Sequence, residues 1–189
     1  MKIIGYALLL ILTGCVFGSI ANFSEDDIKN NENEIYNSGF ESISTEAEME
    51  GWTVLEDYSS VLSLVNDDFH TGKISLKISH PKERISIISD SFPIDPDAVY
   101  FSRCYVKSNY KSNLPVRLHF VVFDAAGKQL NTFQKKGYPD NVWSDISLNA
   151  GFFKPAARFA RVFVSLPARE DKIFWLDDVE SFKVYKIQK

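Results

Sequence analysis

The chain has 189 residues, 45% of them hydrophobic, with 25 acidic against 21 basic side chains and a net charge of −4. With no basic excess to hold a phosphate backbone, the composition argues against nucleic acid as a partner. Two cysteines in a chain long enough to bury its own core exclude a disulfide scaffold.

Lys2 precedes an apolar run from Ile3 to Leu12, which ends in Thr13-Gly14-Cys15. A positive charge, a short hydrophobic stretch and small residues at its end describe a secretory signal, and the run is too short to span a bilayer as a helix. Leu12-Thr13-Gly14-Cys15 resembles the lipobox of bacterial lipoproteins. That resemblance implies removal of residues 1–14 and lipidation of Cys15 (palmitate among the acyl chains). The expected location is the bacterial cell envelope, on the extracytoplasmic side of a membrane.

Residues 15–36 read as a flexible acidic tether. Glu25, Asp26, Asp27, Glu32 and Glu34 stand against Lys29 alone, with almost no apolar periodicity. About 20 such residues would hold the domain on the order of 25 Å from the membrane. The remainder, residues 37–189, is one domain by length. Setting aside the five acids and two bases before Asn37 leaves it 20 acids and 19 bases, close to neutral.

The domain has the two-residue period of strands. Lys73 to Ser79, Arg84 to Ile87, Ala98 to Lys107, Val116 to Phe120 and Arg161 to Leu166 all alternate. Turn signals separate them at His70-Thr71-Gly72, Asp95-Pro96-Asp97, Asp124-Ala125-Ala126-Gly127, Tyr138-Pro139-Asp140-Asn141 and Lys154-Pro155. Many short strands and no convincing helix predict an all-β fold, a two-sheet β-sandwich. Cys104 alternates with Val106 and reads as a buried small hydrophobe rather than a nucleophile.

Near the end, Phe174-Trp175-Leu176-Asp177-Asp178-Val179-Glu180 places two carboxylates inside an apolar run. A carboxylate held in a strand needs a partner, because burying it unpaired is costly. Asn37-Ser38-Gly39-Phe40-Glu41, where the domain begins, offers one. The expectation is that first and last strands lie side by side and share a cation. Alternation places Asp177 on the Val179 face, toward the interior, and leaves Asp178 outside.

A series of landmarks follows in order: Asn37 to Glu41, Gly51-Trp52, His70 to Ile78, Tyr100 with Tyr105-Val106-Lys107, Phe123-Asp124 with Gly127, Trp143, Ala160-Arg161-Val162, and Trp175 to Val179. The series resembles carbohydrate-binding modules of the galactose-binding-like jelly-roll type found beside xylanases and glucanases. The resemblance implies a structural Ca2+ held by the carboxylates of Glu41 and Asp177 with carbonyls of Gly39, His70 and Lys73. The competing expectation is that Glu41 and Asp177 are solvated strand-end acids or pair with lysine or arginine.

The resemblance also implies a polysaccharide or oligosaccharide on the outer face of one sheet. Alternation leaves Arg103 and Tyr105, Arg117 and His119, and Arg161 and Phe163 pointing outward on three strands taken as neighbours. Aromatic rings suit the C–H faces of sugars, and arginine and histidine suit their hydroxyls. The expected aromatic platform on residues 82–89 is missing, which moves attention to loop aromatics such as Tyr58, Tyr110 and Tyr138. Trp52, Trp143 and Trp175 read as structural.

No paired carboxylates, serine elbow or phosphate loop are legible, so the chain is not expected to be an enzyme. Asp67 and Asp68 lie in a turn without an evident partner. The alternative to glycan capture is a structural lipoprotein that binds another envelope protein through the same fold.

Overall fold

The structure is a computed structural model; it describes residue 23 and residues 25–42, 49–55 and 60–186. The signal segment, Cys15 and Tyr58 lie outside the described residues. A four-residue helix, α1 (Glu25–Ile28), precedes eleven strands: β1 (Trp52–Val54), β2 (Leu62–Val65), β3 (Ser75–Ser79), β4 (Ile85–Ser89), β5 (Phe92–Pro93), β6 (Ala98–Ser108), β7 (Val116–Asp124), β8 (Gln129–Gly137), β9 (Ser144–Ala150), β10 (Ala157–Leu166) and β11 (Ile173–Lys186). Among the described residues no helix is long and apolar enough to cross a membrane.

The strands form two antiparallel sheets. One runs β1-β4-β10-β7-β8, with β5 also on β10; the other runs β2-β3-β11-β6-β9. This is the predicted β-sandwich. Inward residues of both sheets make one core, in which Leu118, Phe120, Val162 and Val164 of the first sheet meet Leu76, Tyr100, Cys104 and Leu176 of the second. Phe120 is its aromatic centre, with ring centroids of Tyr100, Phe92 and Phe153 5.6–5.9 Å away. Cys104 is fully buried, and burial pushes its thiol well above the ordinary range, so it is inert.

Residues 25–38 do not run free as a tether. Ile28 is buried against Phe101 and Phe182, with Phe23 at the edge of the same cluster. Asn33 bridges Phe182, and the Glu34 and Val179 amides donate to the carbonyls of Ser181 and Ser38. Two features favour docking over solvation. The apolar Phe23 and Ile28, sparse as they are, meet an apolar patch. Along residues 178–186, β11 also has an edge that β3 does not cover, since β3 pairs only with residues 173–176. Unpaired edge groups favour a partner segment. The two ends of the domain therefore do lie side by side, although the entering segment is a series of turns rather than a strand.

Candidate functional site

Where β3 leaves β11 and the N-terminal segment takes its place, β11 is bulged. Asp177 is opposite Tyr105 but Glu180 is opposite Arg103, so three steps on β11 match two on β6. Asp178 takes a φ of 42° within this bulge. The extra residue breaks the alternation used above. Asp177 thus falls on the outward side of the sheet with Tyr105, not on the Val179 face, and it is buried because the loop before β3 folds over it.

That loop is tied down by the acids. The amides of His70 and Asp178 donate to Asp177 at 2.8 Å each, and the amide of Thr71 at 3.4 Å. His70 Nδ1 lies 2.7 Å from Asp178, whose carboxylate also accepts from the Thr71 hydroxyl at 2.8 Å. Asp178 is therefore engaged rather than outward in solvent. Glu41 accepts from the amides of Lys73 and Ile74 at 2.6 and 2.9 Å. A β-carbon on Gly39 would lie 3.4–3.7 Å from Asp178, Asp177 and Glu41 alike, which places the three acids around one point of the chain.

Gly39, Glu41, His70, Lys73 and Asp177 are thus brought together, and it is the amide N–H groups of His70 and Lys73 that meet the carboxylates. Burial, then the neighbouring Asp178 charge, pushes the Asp177 carboxyl up to about 7 against the pull of its three amide donors. No ion pair among the described residues includes Asp177 or Glu41. No cluster of three or more His, Cys, Asp or Glu side chains among the described residues forms an all-side-chain metal centre. Any cation here needs backbone carbonyls. Gly72 has a φ of 69°, and a β-carbon there would run into the Glu41 carboxylate. Gly72→Ala is expected to destabilise the domain by about 2 kcal/mol, seen as a drop of several degrees in melting midpoint.

The predicted saccharide face is divided by the fold. β6 belongs to one sheet, β7 and β10 to the other, so Arg103 and Tyr105 point away from Arg117, His119, Arg161 and Phe163 on opposite outer surfaces. The first two are also occupied. Arg103 donates to Glu180 at 2.6 Å and pairs with Glu25 of α1, while Tyr105 is stacked by His70 with centroids 3.6 Å apart. Alternation assigns a face within a sheet; it does not say which sheet a strand joins.

The other four residues stay together. On adjacent β7 and β10, His119 is paired with Phe163, Arg117 with Ser165, and Arg161 with Val121. β4 adds Ile88 beside Phe163 and Ser86 beside Ser165, the two serine hydroxyls 3.0 Å apart. β8 adds Lys136 beside Arg117 and Gln134 beside His119. Phe123 and Phe159 stack at 5.3 Å further along the same surface. His119 is half-buried, and burial together with Arg117 and Arg84 lowers its pKa, so it presents a neutral imidazole able to donate and accept. Sequence reasoning missed Ile88, Gln134 and Lys136 because only the sheet order brings them to this surface.

Of the remaining candidates, the tryptophans, Asp68 and Tyr110 make contacts within the domain. Trp52 is buried on Phe40 and donates to the Asn37 carbonyl at 2.9 Å. Asp68 does have partners, in Lys107 at 2.6 Å and the Trp143 indole at 3.1 Å. Trp175 lies between the ammonium groups of Lys77 and Lys107, 5.7 and 5.6 Å from its ring. Tyr110 is bonded to Asp171 beneath the buried Lys172, which donates to the carbonyls of Tyr110 and Lys111. Tyr138 is exposed in the loop that directly follows β8, beyond the Lys136 end of that strand.

No family model and no curated protein matches the sequence. Solved structures do match, and they give the class of fold: it is that of the jelly-roll carbohydrate-binding modules. TmCBM61, solved with beta-1,4-galactotriose, aligns at 18% identity and a TM-score of 0.55 over 80% of this chain and 99% of its own. A family 16 carbohydrate-binding module aligns at 17% identity and a TM-score of 0.58, over 80% of this chain and 100% of its own. The CBM22-1 xylan-binding domain of Paenibacillus barcinonensis Xyn10C aligns at 18% identity and a TM-score of 0.53, over 82% and 96%.

Proposed function

We propose that the protein is a non-catalytic saccharide-binding module, held at the bacterial cell envelope by lipid on Cys15. The observation that carries the reading is the His119–Phe163 pair on the open face of the β4-β10-β7-β8 sheet, with Arg117 and Arg161 on either side. A partly exposed ring with hydrogen-bonding groups around it matches the two chemistries of a sugar, its C–H faces and its hydroxyls. The fold shared with saccharide-binding modules supports it. A glycan array probed with the full chain in detergent is the test. Phe163→Ala is expected to weaken the best-bound glycan about tenfold, equivalent to about 1.4 kcal/mol. Tyr105→Ala, on the opposite sheet, should leave binding as it is. Co-purification of an envelope protein with no response to any sugar would favour the protein-binding alternative.

A structural Ca2+ at the junction of the chain ends is part of the same proposal. What supports a hard cation is that Asp177 is buried, that burial and then the neighbouring Asp178 carboxylate raise the cost of ionising it, and that no lysine or arginine among the described residues pairs with it. Glu41 and Asp177 would supply carboxylate oxygens, with carbonyls of Gly39, His70 and Lys73. The ion would neutralise the acids and tie the entering chain to the last strand, and it would have no part in a reaction.

A further inference from the structure

We infer that the saccharide taken by this face bears carboxylates, as a uronic-acid polymer does; the inference rests on the saccharide reading above. The outward positions of the sheet can be read across the ladder. They are Ser86 and Ile88 on β4, Phe159, Arg161, Phe163 and Ser165 on β10, Arg117, His119, Val121 and Phe123 on β7, and Thr132, Gln134 and Lys136 on β8. No aspartate or glutamate is among them, but Arg117, Arg161 and Lys136 are. Arg84, just before β4, is close enough to act on His119 together with Arg117. None of these four cations forms an ion pair among the described residues.

This is not the general character of the molecule, since the domain is near neutral. On the opposite sheet the outward arginine and a lysine of β6 are each neutralised: Arg103 by Glu180 and Glu25, Lys107 by Asp68. On one surface these two cations meet carboxylates, and the other keeps cations of a single sign. Like charges gathered on one face repel, and an anionic ligand relieves that repulsion. The guanidinium group is also the side chain that meets a carboxylate through two parallel hydrogen bonds.

The spacing suits a chain rather than a single sugar. Arg117 is opposite Ser165 and Arg161 is four residues earlier on the same strand, which sets the two about 13 Å apart along the sheet. Between them lies Phe163, a partly exposed ring for sugar C–H faces with the buried Ile88 on its other side, and the neutral His119 imidazole is beside it. A polymer lying along the strands would bring separate carboxylates to the two arginines and rest its intervening ring on Phe163.

The test is titration of the full chain, in detergent, with oligogalacturonate, alginate oligomers and oligoglucuronate, each against the same oligomer methyl-esterified at its carboxyls. At low salt at least one uronate is expected to bind about tenfold or more tightly than its ester, with the ratio falling toward one as salt rises. Arg117→Ala and Arg161→Ala should each lower uronate affinity several-fold, leave ester binding within about twofold, and leave the melting midpoint unmoved. Equal affinity for acid and ester, or binding only of neutral glycans on the array, overturns the inference and keeps the saccharide reading. No binding of any glycan overturns both. Arginine variants that weaken acid and ester alike would show contacts to hydroxyls and would also overturn it.

Discussion

Stripping Ca2+ with a chelator is expected to lower the melting midpoint of this protein by on the order of 10 °C, and Asp177→Asn is expected to abolish the difference. An ion that binds only the folded state adds about 4 kcal/mol at a thousand times its dissociation constant, and a chain of this size loses about 2–4 °C per kcal/mol. The sign follows from Asp177. Its folded pKa is raised to about 7 from an ordinary 3.8, so without a cation its contribution turns unfavourable as pH rises through that window. Above pH 7 the metal-free fold therefore holds an ionised, buried and unneutralised acid, and the cation has most to offer there. Asparagine keeps one acceptor oxygen for the loop amides but turns its NH2 toward the other donor and has no charge for a cation. The variant should melt below the calcium-loaded wild type and ignore calcium. A wild-type midpoint that does not move between chelator and millimolar Ca2+ would remove the ion from the proposal.

Most of the fold is legible because alternation is a local property. Val116 to Phe120 and Ala98 to Lys107 declare their buried faces, and the structure keeps them. β8 is not legible: Gln129 to Gly137 is polar almost throughout, and as the edge strand beside β7 it is held by the ladder rather than by an apolar face. The meeting of the chain ends is legible because two acids inside an apolar strand demand a reason. Their arrangement is not, since a single bulged residue at Asp178 moves Asp177 to the other side of the sheet and Asp178 onto His70. The saccharide face is half legible. Outwardness can be read from the pleat for Arg103 as for Arg117, but sheet membership is decided by long-range pairing, which no local pattern encodes. α1 is hidden for a similar reason: its acidic composition reads as solvated, and only the exposed edge of β11 and the Phe101–Phe182 patch make it dock.

Arg103 separates the two assignments most sharply. Its guanidinium is mostly covered, with the side chain 13% exposed and that of Glu180 19%. Burial holds the Glu180 carboxyl above its ordinary value while Arg103 opposes that rise. Arg103→Ala would leave Glu180 buried without its cation and Glu25 without its partner on the sheet. Removing one member of a well-buried pair costs about 3–5 kcal/mol; with this much residual solvent the loss should be about 2 kcal/mol, several degrees of melting midpoint. The freed N-terminal segment should also become a site of limited proteolysis between residues 23 and 36. Glycan affinity is expected to stay within about twofold, because Arg103 faces away from the His119–Phe163 surface. Had the three arginines shared one face, the outcome would be reversed, with binding lost and the midpoint kept. A stable Arg103→Ala variant that no longer binds sugar would therefore move the ligand to the β6-β11 surface, and the ion pair with Glu180 would become an arrangement of the free protein that the ligand displaces.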